Sequence, residues 1–208
     1  MVYDGILLGL IVGLLRGGWR RGVANLGRIR LKGGWIFPVL LAAQVLIFIG
    51  QRRLEWLSDA GGIFLMAVYA AAIAFLWINR VKPGFKTLIV GVAMNFVVML
   101  ANGGKMPVSR EMAVMANPDA VSMLELGHGT KHVIMTESSR LPFLADVVPV
   151  TLPYPLPQVI SLGDIVMNVG VFWFLYRTLA AAPVDKQEGE AAAIAGERGR
   201  GADRANSA

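Results

Sequence analysis

The chain has 208 residues, 55% of them hydrophobic and only 16% charged, with a formal net charge of +6. Its mean hydropathy is +0.57. Ordinary soluble domains carry about 25% charged residues, so this composition argues against a soluble globular protein and, outside the tail, against a disordered one. Cysteine is absent, which excludes a disulfide frame, a thiolate metal site and a cysteine nucleophile.

Five apolar runs are expected to be transmembrane helices, over residues 2–19, 34–50, 61–79, 85–101 and 158–180. The first is short, and its apolar part is followed by Arg16, Arg20 and Arg21 rather than preceded by cations, unlike a secretory signal. Segment 16–32 holds Arg16, Arg20, Arg21, Arg28, Arg30 and Lys32 with no acid, and 79–86 holds Arg80, Lys82 and Lys86 with none. Segment 51–60 is mixed, and 102–157 carries four cations against five acids. This alternation predicts an all-α polytopic protein of the cell membrane, with its N-terminus outside and its C-terminus cytoplasmic.

Within the first span, Gly5, Gly9, Gly13 and Gly17 recur every four residues and make a groove for another helix. The occupant is either a helix of the same chain, or a second copy or partner protein. The lipid bilayer is the expected surrounding, the Gly- and Arg-rich segment could lie along the anionic inner leaflet, and nothing points to nucleic acid.

Residues 102–157 are too long for a plain connection and are expected to fold as an extracytoplasmic cap of short helices. Ser109 is placed to cap a helix running to Ala116, and Asn117-Pro118-Asp119 opens a second that Gly127 would stop. Four prolines between 147 and 157 predict an extended stretch over the membrane surface. From residue 183 the composition turns to Ala, Glu, Gly and Arg, which predicts a disordered cytoplasmic tail.

Asp164 is the single acidic residue inside the last predicted span, four residues before Asn168, with Gln44 and Asn95 in the middle of other spans. That set is the motive for a proton- or cation-coupled pathway. The same Asp164 is spaced from Ser161 as in a capping box, where it would sit at the outer end of the last helix. His128 and His132, with Glu125 nearby, have the spacing of zinc ligands, but Gly127 and Gly129 interrupt the helix such a pair needs. No cofactor motif and no nucleophile elbow is present.

The runs Leu14-Leu15-Arg16-Gly17-Gly18, Asn102-Gly103-Gly104-Lys105-Met106-Pro107-Val108-Ser109, Lys131-His132, 140–149 and 160–165 together resemble the small bacterial membrane family called domain of unknown function 5317. The likeness covers roughly 1–180. The family pattern has Gly where Ala145 stands here. The resemblance implies a multi-pass protein of the bacterial cytoplasmic membrane and brings no activity. It also implies a shared site formed by Asn102, Gly103, Gly104, Met106, Pro107, His132, Asp146, Pro149 and Asp164.

The leading expectation is a non-enzymatic accessory or assembly subunit. A small transporter or channel using Asp164 and Asn168 is the alternative, and an outer-face metal-dependent enzyme using His128, His132 and Glu125 is the third. The spacing of these residues assigns no metal site.

Overall fold

Helix α1 (Tyr3–Gly17) runs in the same direction as the last helix, α8 (Leu162–Leu179), and lies against it along its whole length. A Cβ placed on Gly9 would lie 2.9 Å from Leu175 Cβ, and one on Gly13 would lie 2.8 Å from Leu179 Cβ. On Gly5 and Gly17 it would run into the carbonyl oxygens of Asn168 and Leu179. All four glycines are buried, so the stripe is filled by α8 of the same chain and is not open to a second helix in this structure.

The structure, a computed structural model, describes residues 3–50, 55–116, 118–125, 131–151, 154 and 157–182. The expected tail, Gln44's side chain, Asn117, Gly127 and His128 lie outside the described residues. Helix α2 (Trp19–Gly27) follows α1 after a break at Gly18. Helices α3 (Ile36–Gly50) and α4 (Glu55–Ile78) come next, and α5 (Phe85–Ala101) leads into the cap. Contacts fix the directions. The start of α4 meets the end of α5 through Gly62 and Gly104, while Gly84 and Gly91 of α5 meet Gly170 and Gly163 of α8 in reverse order. Helix α5 therefore runs against α4 and α8. Gly84 caps α5 in the left-handed region (φ 76°), and a Cβ there would strike the Gly170 carbonyl, so both its torsion and its space demand glycine.

Inside this bundle Phe75, Leu76, Phe85 and Val92 form one apolar core, with Phe174 edge-on to Phe85 at 5.2 Å. A second core (Val98, Met99, Met106, Ala145) joins α5 to the cap. Among the described residues one helix segment, Gly61–Ile78, is long and apolar enough to cross a membrane. Helix α1 has 15 residues, or about 22 Å at 1.5 Å per residue.

The cap is built from β1 (Met106–Val108), α6 (Arg110–Ala116), α7 (Pro118–Glu125), β2 (His132–Ile134), a 3-10 turn (Pro142–Leu144), β3 (Val148–Val150) and β4 (Gln158–Ile160). Strands β1 and β2 pair in parallel, with Met106 opposite His132, and β3 and β4 pair antiparallel. The expected cap of short helices with an extended stretch is corrected in one respect: among the described residues it also holds two small sheets. Within the proline-rich stretch, Val148–Val150 is the first arm of a strand pair, while Pro153 and Pro155 lie outside the described residues. The last helix starts at Leu162, not 158, because Gln158-Val159-Ile160 is a strand. A short apolar run reads alike as strand or helix turn, and only the Ser161 cap separates them.

Candidate functional site

At the junction of cap and bundle, three side chains from two helices close a ring. Ser161 is the N-cap of α8, and its Oγ accepts from Asp164 N at 3.1 Å. Asp164 Oδ2 accepts from Ser161 N at 3.2 Å, which completes the capping box. Asn95 of α5 reaches in from the opposite side. Its Nδ2 donates to Asp164 Oδ1 at 3.0 Å, and its Oδ1 accepts from Ser161 Oγ at 2.9 Å. Asn95 and Ser161 are fully buried and Asp164 is 2% exposed. Every oxygen of the carboxylate has a donor, as burial of a charge requires. The close approach depends on Gly163, where a Cβ would collide with Asn95 Oδ1.

One turn on, Asn168 carries the network to α1. Its Nδ2 donates to Asp164 O at 3.1 Å and its Oδ1 accepts from Gly5 N at 2.8 Å, one of the free donors of that helix start. Asp4 beside it accepts a 2.6 Å bond from Tyr154 OH of the cap. That bond, with burial adding to it, raises the Tyr154 hydroxyl above its usual value, because the proton is held by the carboxylate.

Above the ring lies a second polar group. Asp146 is 1% exposed, and its Oδ2 lies 3.3 Å from His132 Nε2. Its backbone is held against β1: Asp146 N donates to Pro107 O at 3.0 Å and Ser109 N donates to Asp146 O at 3.0 Å. Among the described residues Asp146 Oδ1 has no hydrogen-bond partner. The cation facing this group is Lys131, half-buried by surface but densely surrounded by protein. Burial alone would lower its ammonium, yet attraction to Tyr69 once that phenol is ionised, and to Asp146 and Asp164, outweighs that, and the net shift is upward.

The remaining motif residues shape the turn that connects these groups. Asn102 Nδ2 donates to Val98 O (2.7 Å) and to Arg140 O (2.8 Å), while its Oδ1 accepts from Arg140 N (2.8 Å). This clamp holds the loop in which Leu141 sits in the left-handed region (φ 54°), a strained posture for a residue with a branched side chain. Gly103 and Gly104 follow with φ of 68° and 85°, and Gly104 lies against Gly62. Met106 and Pro107 are buried, and Pro149 pairs across to Val159. Ala145 has φ −71° and is fully buried, so this turn needs no glycine and uses its methyl to fill the core. Replacing Asn102 by Ala should free the 140–144 loop and lower stability by about 1–3 kcal/mol. Faster proteolysis within that loop is the measurement, and an unchanged cleavage rate would contradict the clamp.

The structure brings Asp164 together with Asn168 and Asn95, and His132 with Asp146. It does not gather a metal-ligand set: Glu125 is paired with Arg110 at 2.8 Å, and no group of three or more potential ligands occurs among the described residues. Sequence reading missed Lys131 as the shared cation, Tyr154 as the tie to Asp4, and Asn79. The last of these exchanges two 2.9 Å bonds with the backbone of Lys32 and donates to Phe75 O. The available signal was an amide at the end of an apolar helix, where a side chain can satisfy free backbone groups of a distant segment.

With this geometry in hand, comparison with known proteins places the chain. The profile of the DUF5317 family, described as a family of unknown function, matches residues 28–176. An uncharacterized protein of Thermotoga maritima is 32% identical over 174 residues, covering 84% of this chain and 89% of the relative. The chain belongs to the DUF5317 family. The matched stretch is shorter than the 1–180 likeness and leaves out α1 with its glycine stripe. No solved structure matches it.

Proposed function

We propose that this chain is an integral protein of the bacterial cytoplasmic membrane, spanning it with α1, α3, α4, α5 and α8. It acts as a non-enzymatic accessory or assembly subunit whose outer cap is its working surface. The observation that carries this reading is an inverted polarity. The bundle's outward faces are aliphatic, with Leu15 80%, Ile63 76% and Leu46 68% exposed, while Asn95, Ser161 and Asp164 occupy the interior. Water would oppose that arrangement and hydrocarbon favours it. Polar ends support the same placement. The helix directions bring Arg16, Arg20, Arg28, Lys32, Arg80, Lys82, Lys86 and Arg177 to the end away from the cap. Trp19, Trp35, Trp77 and Trp173 lie toward that end, each about half or more exposed, as in an interfacial aromatic belt. Basic ends of this kind face the cytoplasm.

Support for a non-enzymatic role comes from the ring itself. Ser161 Oγ gives its proton to an amide oxygen, which is no base, and the Asp164 carboxylate is already occupied by two donors.

The natural absence of cysteine makes the test direct. Thr136→Cys in the cap and Val81→Cys in the turn between α4 and α5 are both at exposed positions. In intact cells a membrane-impermeant maleimide should label the first, and the second only after permeabilisation. Labelling of both, of neither, or in the reverse order would overturn the proposed topology. For the subunit role, native mass spectrometry after mild extraction should find a companion protein or a second copy, and a lone monomer would count against it.

A further inference from the structure

We infer that the basic end of the bundle holds an anionic phospholipid, with the headgroup phosphate seated between Arg16 and Arg177. The inference rests on the membrane reading above and names a specific ligand for it. Because α1 and α8 run in the same direction and touch through Gly17, Leu179 and Ala180, their last turns end side by side. There Arg16, Tyr176, Arg177 and Ala180 to Ala182 line a cavity of about 310 Å³. Two guanidiniums and no acid among the described lining residues make it a seat for a phosphate rather than a cation.

A helix C-terminus would ordinarily repel an anion. Here Asn25 of α2 donates its Nδ2 to Ala181 O at 3.1 Å and, more weakly, to Leu179 O at 3.5 Å, which covers part of that negative end. One turn toward the bundle centre, the exposed Trp173 ring lies under Arg177, 5.8 Å from ring centroid to guanidinium carbon. Phosphate would sit at the arginines while glycerol and chains run down past Trp173. Helix α2 flanks the seat as a short amphipathic element. Its Trp19 (72% exposed) and Val23 present an apolar edge beside Arg20 and Arg21, as a helix lying in the headgroup layer does. A free phosphate would use the arginines but not Trp173 or that apolar edge, so the occupant is a diacyl lipid.

The experiment titrates the full-length chain, purified in a maltoside detergent, with palmitoyl-oleoyl phosphatidylglycerol or palmitoyl-oleoyl phosphatidylcholine and counts bound lipid by native mass spectrometry. Phosphatidylglycerol should bind selectively. The double variant Arg16→Gln/Arg177→Gln should bind it about tenfold or more weakly, and Arg110→Gln in the cap should bind as the native chain does. Thermal melting followed by tryptophan fluorescence checks folding. If the double Gln variant does not fold, Arg16→Lys/Arg177→Lys substitutes for it: it keeps the charge without the planar fork and should still prefer phosphatidylglycerol. Equal retention of both lipids by the native chain, or undiminished phosphatidylglycerol binding by a folded double Gln variant, would overturn the proposal. So would displacement of the lipid by millimolar inorganic phosphate, which marks a seat for the free ion. Binding that appears only once 183–208 are deleted would assign the seat to the chain's own tail and overturn it too. Cysteine labelling that stays correct while lipid preference is absent would sink this inference alone.

Discussion

Replacing Asp164 by Leu is expected to lower the stability of the protein by about 3–5 kcal/mol, read as the midpoint of unfolding in mild detergent with increasing denaturing detergent. The effect is large because the substitution strands two buried donors at once. Asn95 Nδ2 and Ser161 N lose their acceptor in a site that water does not reach, and α8 loses half of its capping box. Asp164→Asn keeps the shape but can offer only one carbonyl oxygen to two donors, so it should cost roughly half as much. The comparison has diagnostic value. If Asp164→Asn melted like the native chain yet abolished a solute or proton flux, the carboxylate would belong to a pathway and not to a cap.

The glycine stripe should yield the other large effect. Gly17→Val and Gly5→Val each push a side chain into backbone carbonyl of α8, which no rotamer can relieve. Overpacking of this kind costs about 1–3 kcal/mol and more where backbone must move, and the double variant should detach α1 from α8. Gly27→Ala is the matched control. It lies at the end of α2, where an added methyl would meet nothing within 4 Å and φ is not positive, so it should be neutral or slightly stabilising. An engineered disulfide between the ends of α1 and α8 that forms in the native chain but not in Gly17→Val would report the separation. Equal cross-linking in both would contradict the packing.

Local features of this molecule were legible because they depend on spacing along the chain. Glycine every four residues announced a close helix contact, and Ser161 followed by Asp164 announced a cap. Hydropathy located the cores of all five long helices to within a few residues at most ends. What spacing did not reveal is held by residues far apart. Asn95 and Asp164 are 69 positions apart, and Asn79 reaches Lys32 across 47. No periodicity connects such pairs, and it is the antiparallel packing of α5 on α8 that brings Asn95 to Asp164. The cap strands escaped notice for another reason. Each has three residues, too few to display the alternation that separates strand from helix. Their hydrogen bonds run mainly to one another and to Asp146, which sequence alone does not pair.

Because α1 packs chiefly on α8, with α2 touching it only near its end, the two extremes of the described fold must meet before this contact can form. Helix α1 carries a bare strip of backbone that stays uncovered through the synthesis of every intervening segment, until α8 arrives. A nascent chain stalled short of α8 should therefore be cleaved by added protease faster than the full chain. Arrival of α8 closes that window, so the contact that stabilises the mature fold ties together the earliest and the latest of the described helices.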